Sequence, residues 1–132
     1  MTADMSKEEI NKELERAEKS LKAAEILLKD GLLEDAISRS YYVILHAAKA
    51  VLLVQGVNVE SHRAVRRLFG QHLIQTGKMD AKYSKILAEE QDDRYLADYD
   101  VIFSPEKERC QKRIEDAMAF LDAVKQYLKR HG

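Results

Sequence analysis

Arg94, Asp98 and Tyr99 fall within one short run, Arg94-Tyr95-Leu96-Ala97-Asp98-Tyr99. A spacing of four puts the guanidinium and the carboxylate on one side of a helical turn. In the plain reading this is an i,i+4 surface pair worth about 0.2–0.5 kcal/mol. In the chemical reading Asp98 fixes the fork of Arg94 so that its remaining N–H donors meet a phosphate.

Imidazoles that could move a proton lie elsewhere in the chain. His46 follows Arg39 by seven residues, on the same face of an otherwise apolar segment, and is either a satisfied core or interface histidine or a base. His62 falls one residue inside a helix start, where the helix N-terminus favours the neutral, proton-accepting ring; a solvated first-turn residue is the alternative. Around them the charge is segregated. Ser61 to Met79 holds Arg63, Arg66, Arg67 and Lys78 with no acid, whereas Ala88 to Asp100 sets six acids against Arg94 alone, a net of −5. Either neighbouring helices neutralise each other, or Arg63, Arg66, Arg67 and Arg94 form an anion site whose limits the acids set.

Other chemistries find no support in the sequence. None of His46, His62, His72 and His131 has a Glu three residues before it, and His-Glu-x-x-His is absent, so neither a metal nor a cofactor is expected. No Gly-rich phosphate loop occurs. Cys110 lies in an apolar stripe and reads as a small core residue.

The elements that must position these groups follow from composition and periodicity. The chain has 132 residues with 22 Lys or Arg against 23 Asp or Glu, a formal net charge of −1, which excludes a strongly basic nucleic-acid binder and a polybasic membrane protein. One domain over residues 1–132 is expected, and the lone cysteine without an opening apolar leader points to the cytoplasm. With only 5 Gly and 1 Pro, helices joined by short turns are predicted. A capping box at Ser6-Lys7-Glu8-Glu9 opens the first, which Gly31 closes. The second spans about Glu34 to Gln55 and is apolar almost all round, a bundle centre and not a membrane span. Ser61 caps the third, which runs to near Gly77; the fourth starts near Asp80; Ser104-Pro105 starts the fifth. The expected fold is all-α, a single up-and-down antiparallel bundle of about five helices. Phe120 and Tyr127, seven apart beside the Ile114/Leu121/Leu128 face, predict a second apolar strip and with it a homodimer.

Taken together, Ser38-Arg39-Ser40-Tyr41-Tyr42 and its apolar continuation, Ser61-His62, Leu68-Phe69-Gly70 and Arg94 to Tyr99 resemble the small stand-alone HEPN-domain proteins of bacteria and archaea, over nearly the whole chain. The resemblance implies an all-α bundle, usually a homodimer, often encoded beside a minimal nucleotidyltransferase as the toxin of a toxin-antitoxin pair. Active members are metal-independent endoribonucleases that carry an Arg and, after four to six intervening residues, a His at a dimer cleft. Here Arg94 fits that pattern, but Tyr99, Asp100 or Val101 stands where the His should fall. Tyr99, with an ordinary pKa of about 10, is a poor base at neutral pH. The resemblance also raises Tyr99 as a position that a partner modifies.

Three functional readings follow. One is a nucleotide- or RNA-binding member with ligand contacts from Arg94, Asp98, Tyr99, Arg39 and Arg63. Another is an RNA-cleaving toxin in which His46 or His62 replaces the missing base beside Arg94 and Tyr99. The third is a structural helical dimer without a ligand.

Overall fold

The computed structural model describes residues 2–131, which form five α-helices: α1 (Thr2–Lys29), α2 (Leu33–Val54), α3 (His62–Phe69), α4 (Lys82–Tyr99) and α5 (Lys107–His131). No strand occurs among the described residues. The fold is an all-α bundle, as the apolar periodicity predicts. Its axis is α2, which is long and apolar enough to span a membrane by length and composition alone. Its apolar side chains are instead covered by other helices. Tyr41, Ile44, Ala48, Val51 and Leu52 join Ala17, Phe69, Leu73, Leu87, Phe120 and Val124 in the main core. Ala36 and Ile37, at the start of α2, pack with Ala24, Cys110 and Ile114 in a second cluster. Cys110 is fully buried there, and burial, helped by Glu90 and Glu34, pushes its thiol up to about 11.

Several element boundaries differ from the sequence expectation. The first helix already runs from Thr2, so Ser6 is an internal residue and not its cap. Polar, helix-tolerant side chains let the backbone continue past the start of the apolar stripe, and Lys12 and Glu8 form an i,i+4 pair there. The third helix does not reach Gly77 as one α-helix. At Gly70 it widens into a π-helical turn, Gly70–Ile74, with the Gln75 amide donating to the Gly70 carbonyl at 2.9 Å. The fifth begins at Lys107, two residues beyond Pro105, because the chain first turns back at Asp100, whose carboxylate accepts from the Ile102 amide at 3.0 Å. Ser61 caps α3 as expected, accepting from the Ala64 amide at 3.2 Å.

The second apolar strip on α5 is not a surface. Phe120 is fully buried, its ring 5.2 Å from Phe69 and 6.0 Å from Tyr83, while the Tyr127 hydroxyl accepts from Gln55 at 2.9 Å. The core of this bundle wraps more of α5 than one stripe, so Phe120 and Tyr127 lend no support to a dimer contact.

Between α4 and α5 the acid-rich stretch meets a cationic face. Arg109 donates to both oxygens of Asp93, at 2.6 and 3.0 Å, and Arg113 approaches Asp93, Asp116 and Glu89 within 3.4–3.7 Å. Glu90 is wholly buried and accepts from the Ser40 hydroxyl at 2.9 Å, leaving its second oxygen without a partner. Burial raises its carboxyl well above the usual range, against the pull of Ser40 and Arg113. A protonated Glu90 avoids a third carboxylate charge beside Asp93 and Asp116.

Candidate nucleic-acid interface

Three elements bring cationic and aromatic groups to one side of the bundle. Ser38 and Tyr42 are four residues apart on α2 and therefore share a face, which meets the last turns of α4. Arg94 is the centre of the arrangement. Its Nε lies 2.8 Å from Asp98 Oδ2, an ionic contact without hydrogen-bond alignment, and the Nε proton has no other partner. Asp98 is held from behind by the Ser38 hydroxyl, which donates at 2.5 Å to its other oxygen. A terminal nitrogen of Arg94 donates to the Tyr42 hydroxyl at 3.4 Å. The guanidinium carbon is 5.5, 5.8 and 5.9 Å from the ring centres of Tyr41, Tyr42 and Tyr99. Partial burial disfavours this charge, but Tyr42, Asp98 and Tyr99 outweigh that penalty and raise the pKa of Arg94.

Arg94 opens onto a cavity of about 700 Å³ shared with His62, Arg63, Arg66, Tyr95 and Tyr99. Three guanidinium groups thus line one concavity. Arg66 is partly engaged, 3.5 Å from Asp92, whereas Tyr95 and Tyr99 stand exposed at 63% and 64% with ring centres 5.1 Å apart, wide enough faces for a base to stack on. His62 places its ring 5.9 Å from Tyr42 and 6.1 Å from Tyr41. Burial lowers its pKa, and the positive charges of Arg94, Lys49 and His46 lower it further, so the neutral ring predominates at pH 7. Tyr41 is shifted the other way: burial raises its phenol despite Gln91 and Arg94.

The sequence-derived candidates therefore divide. Arg94, Asp98, Tyr99, His62 and Arg63 are brought together; His46 and Arg39 are not. His46 is turned to α1, with Nδ1 2.7 Å from Glu13, whose carboxyl is held low by His46 and Lys49 in spite of burial. Arg39 lies over the other partner of Arg94, its guanidinium carbon 5.7 Å from the Tyr42 ring centre, in a groove between α1 and α2. Two contributors were absent from the sequence-derived site. Ser38 and Tyr42 fall within Ser-Arg-x-Tyr-Tyr, and the signal that could have found them is their shared helical face, overlooked because Tyr42 reads as part of an apolar run. Among the described residues, no three of His, Cys, Asp and Glu are grouped so as to hold a metal ion.

Comparison with known proteins adds to this geometry. The family described as HEPN domain matches residues 10–127. Two proteins of Methanocaldococcus jannaschii that carry the name "putative toxin" are similar to the chain: one is 37% identical, covering 93% of this chain and 91% of its own length, and the other 34% identical, covering 92% and 83%. A UPF0332 protein of Thermotoga maritima is 30% identical over 86% of both chains.

Proposed function

Because the chain belongs to the HEPN-domain family, we propose that it is a nucleotide- or RNA-binding member of that family, a single domain acting in the cytoplasm, with its site built on Arg94 at a cleft between two copies. The observation that carries this reading is the state of Arg94. It is anchored by Asp98 and Tyr42 at one end while sharing a cavity with Arg63, Arg66 and two exposed tyrosines. A pair fixed in this way keeps donors available for phosphate, and the tyrosine faces suit a base. The dimer rests on the apolar side chains that continue from the cavity: Tyr95, Tyr99, Val101 and Ile102 are exposed at 63%, 64%, 99% and 85%. The toxin names of the two archaeal relatives favour a toxin-antitoxin pair, in which the family resemblance makes a minimal nucleotidyltransferase the antitoxin partner. Titrating nucleotides and short RNAs against the wild-type protein and Arg94→Ala tests the reading, which fails if both bind equally.

A second reading, a metal-independent endoribonuclease toxin, is favoured by one specific observation. His62 shares the Arg94 cavity in a form poised to accept a proton, the function that the missing histidine serves in active family members. Incubation with total RNA in EDTA separates the two readings, since cleavage that persists on chelation requires the second.

A further inference from the structure

A second concavity runs between α1 and α2, where Arg16, Lys19 and Arg39 line a groove of about 560 Å³ with no acid among the lining residues. It continues along α1 into a neighbouring hollow of about 460 Å³, where Lys12 and Lys49 join Arg16 and Lys19. Two acids line that hollow as well: Glu13, already engaged by His46 and Lys49, and Glu15, which leaves four cations against one acid that makes no ion pair there. Arg16, Lys19 and Arg39 make no ion pair within 4.0 Å among the described residues. In a chain whose net charge is −1, three unpaired cations converging on one groove are a local departure that calls for an anionic occupant. The groove also joins the first site. Tyr42 lines it, and the same Tyr42 ring has Arg39 at 5.7 Å and Arg94 at 5.8 Å, while its hydroxyl accepts from Arg94. From Arg39 to Lys49 the α2 edge is about 15 Å long, at about 1.5 Å per residue, so the cations form a track and not a point.

We infer that the α1/α2 groove holds the phosphate backbone of single-stranded RNA whose neighbouring nucleotide occupies the Arg94 cavity. This rests on the RNA reading of Arg94 and extends it: Arg94 and the exposed tyrosines hold one nucleotide, and Arg39, Arg16 and Lys19 follow the strand away from it. A cationic groove continuing from aromatic stacking faces is how single strands are held without base readout. Preference in this groove is for strand length, not for sequence.

The test uses the double variant Arg16→Gln with Lys19→Gln, both exposed helix positions outside the Arg94 cavity. Binding of an oligouridine of about 20 nucleotides is measured across salt concentrations, and binding of the dinucleotide UpU by NMR titration. Removing two phosphate contacts lowers the slope of log affinity against log salt by about 1.4 and weakens the long RNA roughly tenfold or more at moderate salt. UpU binding stays at the wild-type level. An unchanged slope and affinity for the long RNA overturn the inference while leaving Arg94 untouched; so does a groove that matters only for retaining an acidic protein partner. If the double variant loses the long RNA but Arg94→Ala loses nothing, the groove binds RNA by itself, and both the Arg94 reading and the continuity of the two sites are overturned. If the wild-type protein retains neither probe, both fall.

Discussion

Asp98 uses its two oxygens for two different tasks, one 2.8 Å from the Nε of Arg94 and the other accepting from Ser38 at 2.5 Å. The carboxylate is thereby fixed from α2, and it in turn fixes the guanidinium on α4. Arg94→Ala is expected to keep helical content, because the residue is not part of the apolar core, and to lose RNA or nucleotide binding by about 1.5–3 kcal/mol, the range for a hydrogen bond to a charged group. Circular dichroism and a binding titration on the same sample check this. Unfolding of the variant, with no ligand found for the wild type, makes Arg94 a structural ion-pair member.

If the protein cleaves RNA, His62 and not His46 is the base. His62→Ala should abolish cleavage with binding retained, and His46→Ala should leave the chemistry in place, since its ring is committed to Glu13. The active form is the neutral ring, and burial together with Arg94 lowers the pKa of His62 from 6.5, so the acid limb of a pH–rate profile falls below that value. A limb at higher pH would assign the base elsewhere.

Glu90 gives stability a dependence on pH opposite to that of an ordinary paired carboxylate. Its folded-state pKa is raised above the usual 4.5, so its contribution is fully present below that value and is lost as pH rises through the folded-state pKa. Glu90→Gln keeps an acceptor for Ser40 and cannot ionise. Urea denaturation at pH 8 should find the variant more stable by about 1–3 kcal/mol, with the difference vanishing towards acid pH. Equal stability at both pH values would mean that Glu90 is not a destabilised charge.

Light scattering at tens of micromolar should report a dimer, and Val101→Ser with Ile102→Ser should shift it to monomer with helical content retained, because both side chains are exposed in the single chain. The melting temperature should then lose its dependence on protein concentration. A wild-type monomer would contradict the cleft.

Phe120→Ala should cost about 3–5 kcal/mol, as a large aromatic lost from a filled core leaves a cavity against Phe69 and Tyr83. Thermal or chemical denaturation measures it directly. A cost under about 1 kcal/mol would mean the core closes over the gap.

Much of this was legible in the chain. The helix count, the central place of α2, the Ser61 cap and the buried Cys110 follow from periodicity and local chemistry, which depend on near neighbours in sequence. The Arg94–Asp98 contact follows from a spacing of four. What was not legible depends on which helices meet. Nothing in the spacing of Phe120 says that Phe69 and Tyr83 cover it, and nothing in the acids of α4 says that Glu90 and Asp93 turn inward to Ser40, Arg109 and Arg113. The same limit applies to His46 and His62, equal as sequence candidates until α1 supplied Glu13 to one and α4 supplied Arg94 beside the other. The π-helical turn at Gly70 had no local signal beyond a glycine.

The shortness of α3 has a dynamic consequence. That helix buries only Val65 and Phe69, whereas α2 is buried along most of its length. His62, Arg63 and Arg66 therefore ride on a short element that is held less firmly than the axis, while Tyr42, the hydrogen-bond partner of Arg94, stays with α2. In hydrogen exchange the amides of α3 should open well before those of α2, and a bound strand should slow them. A ligand that joins the α3 cations to Arg94 on α4 would then gain part of its grip by holding the short helix in place.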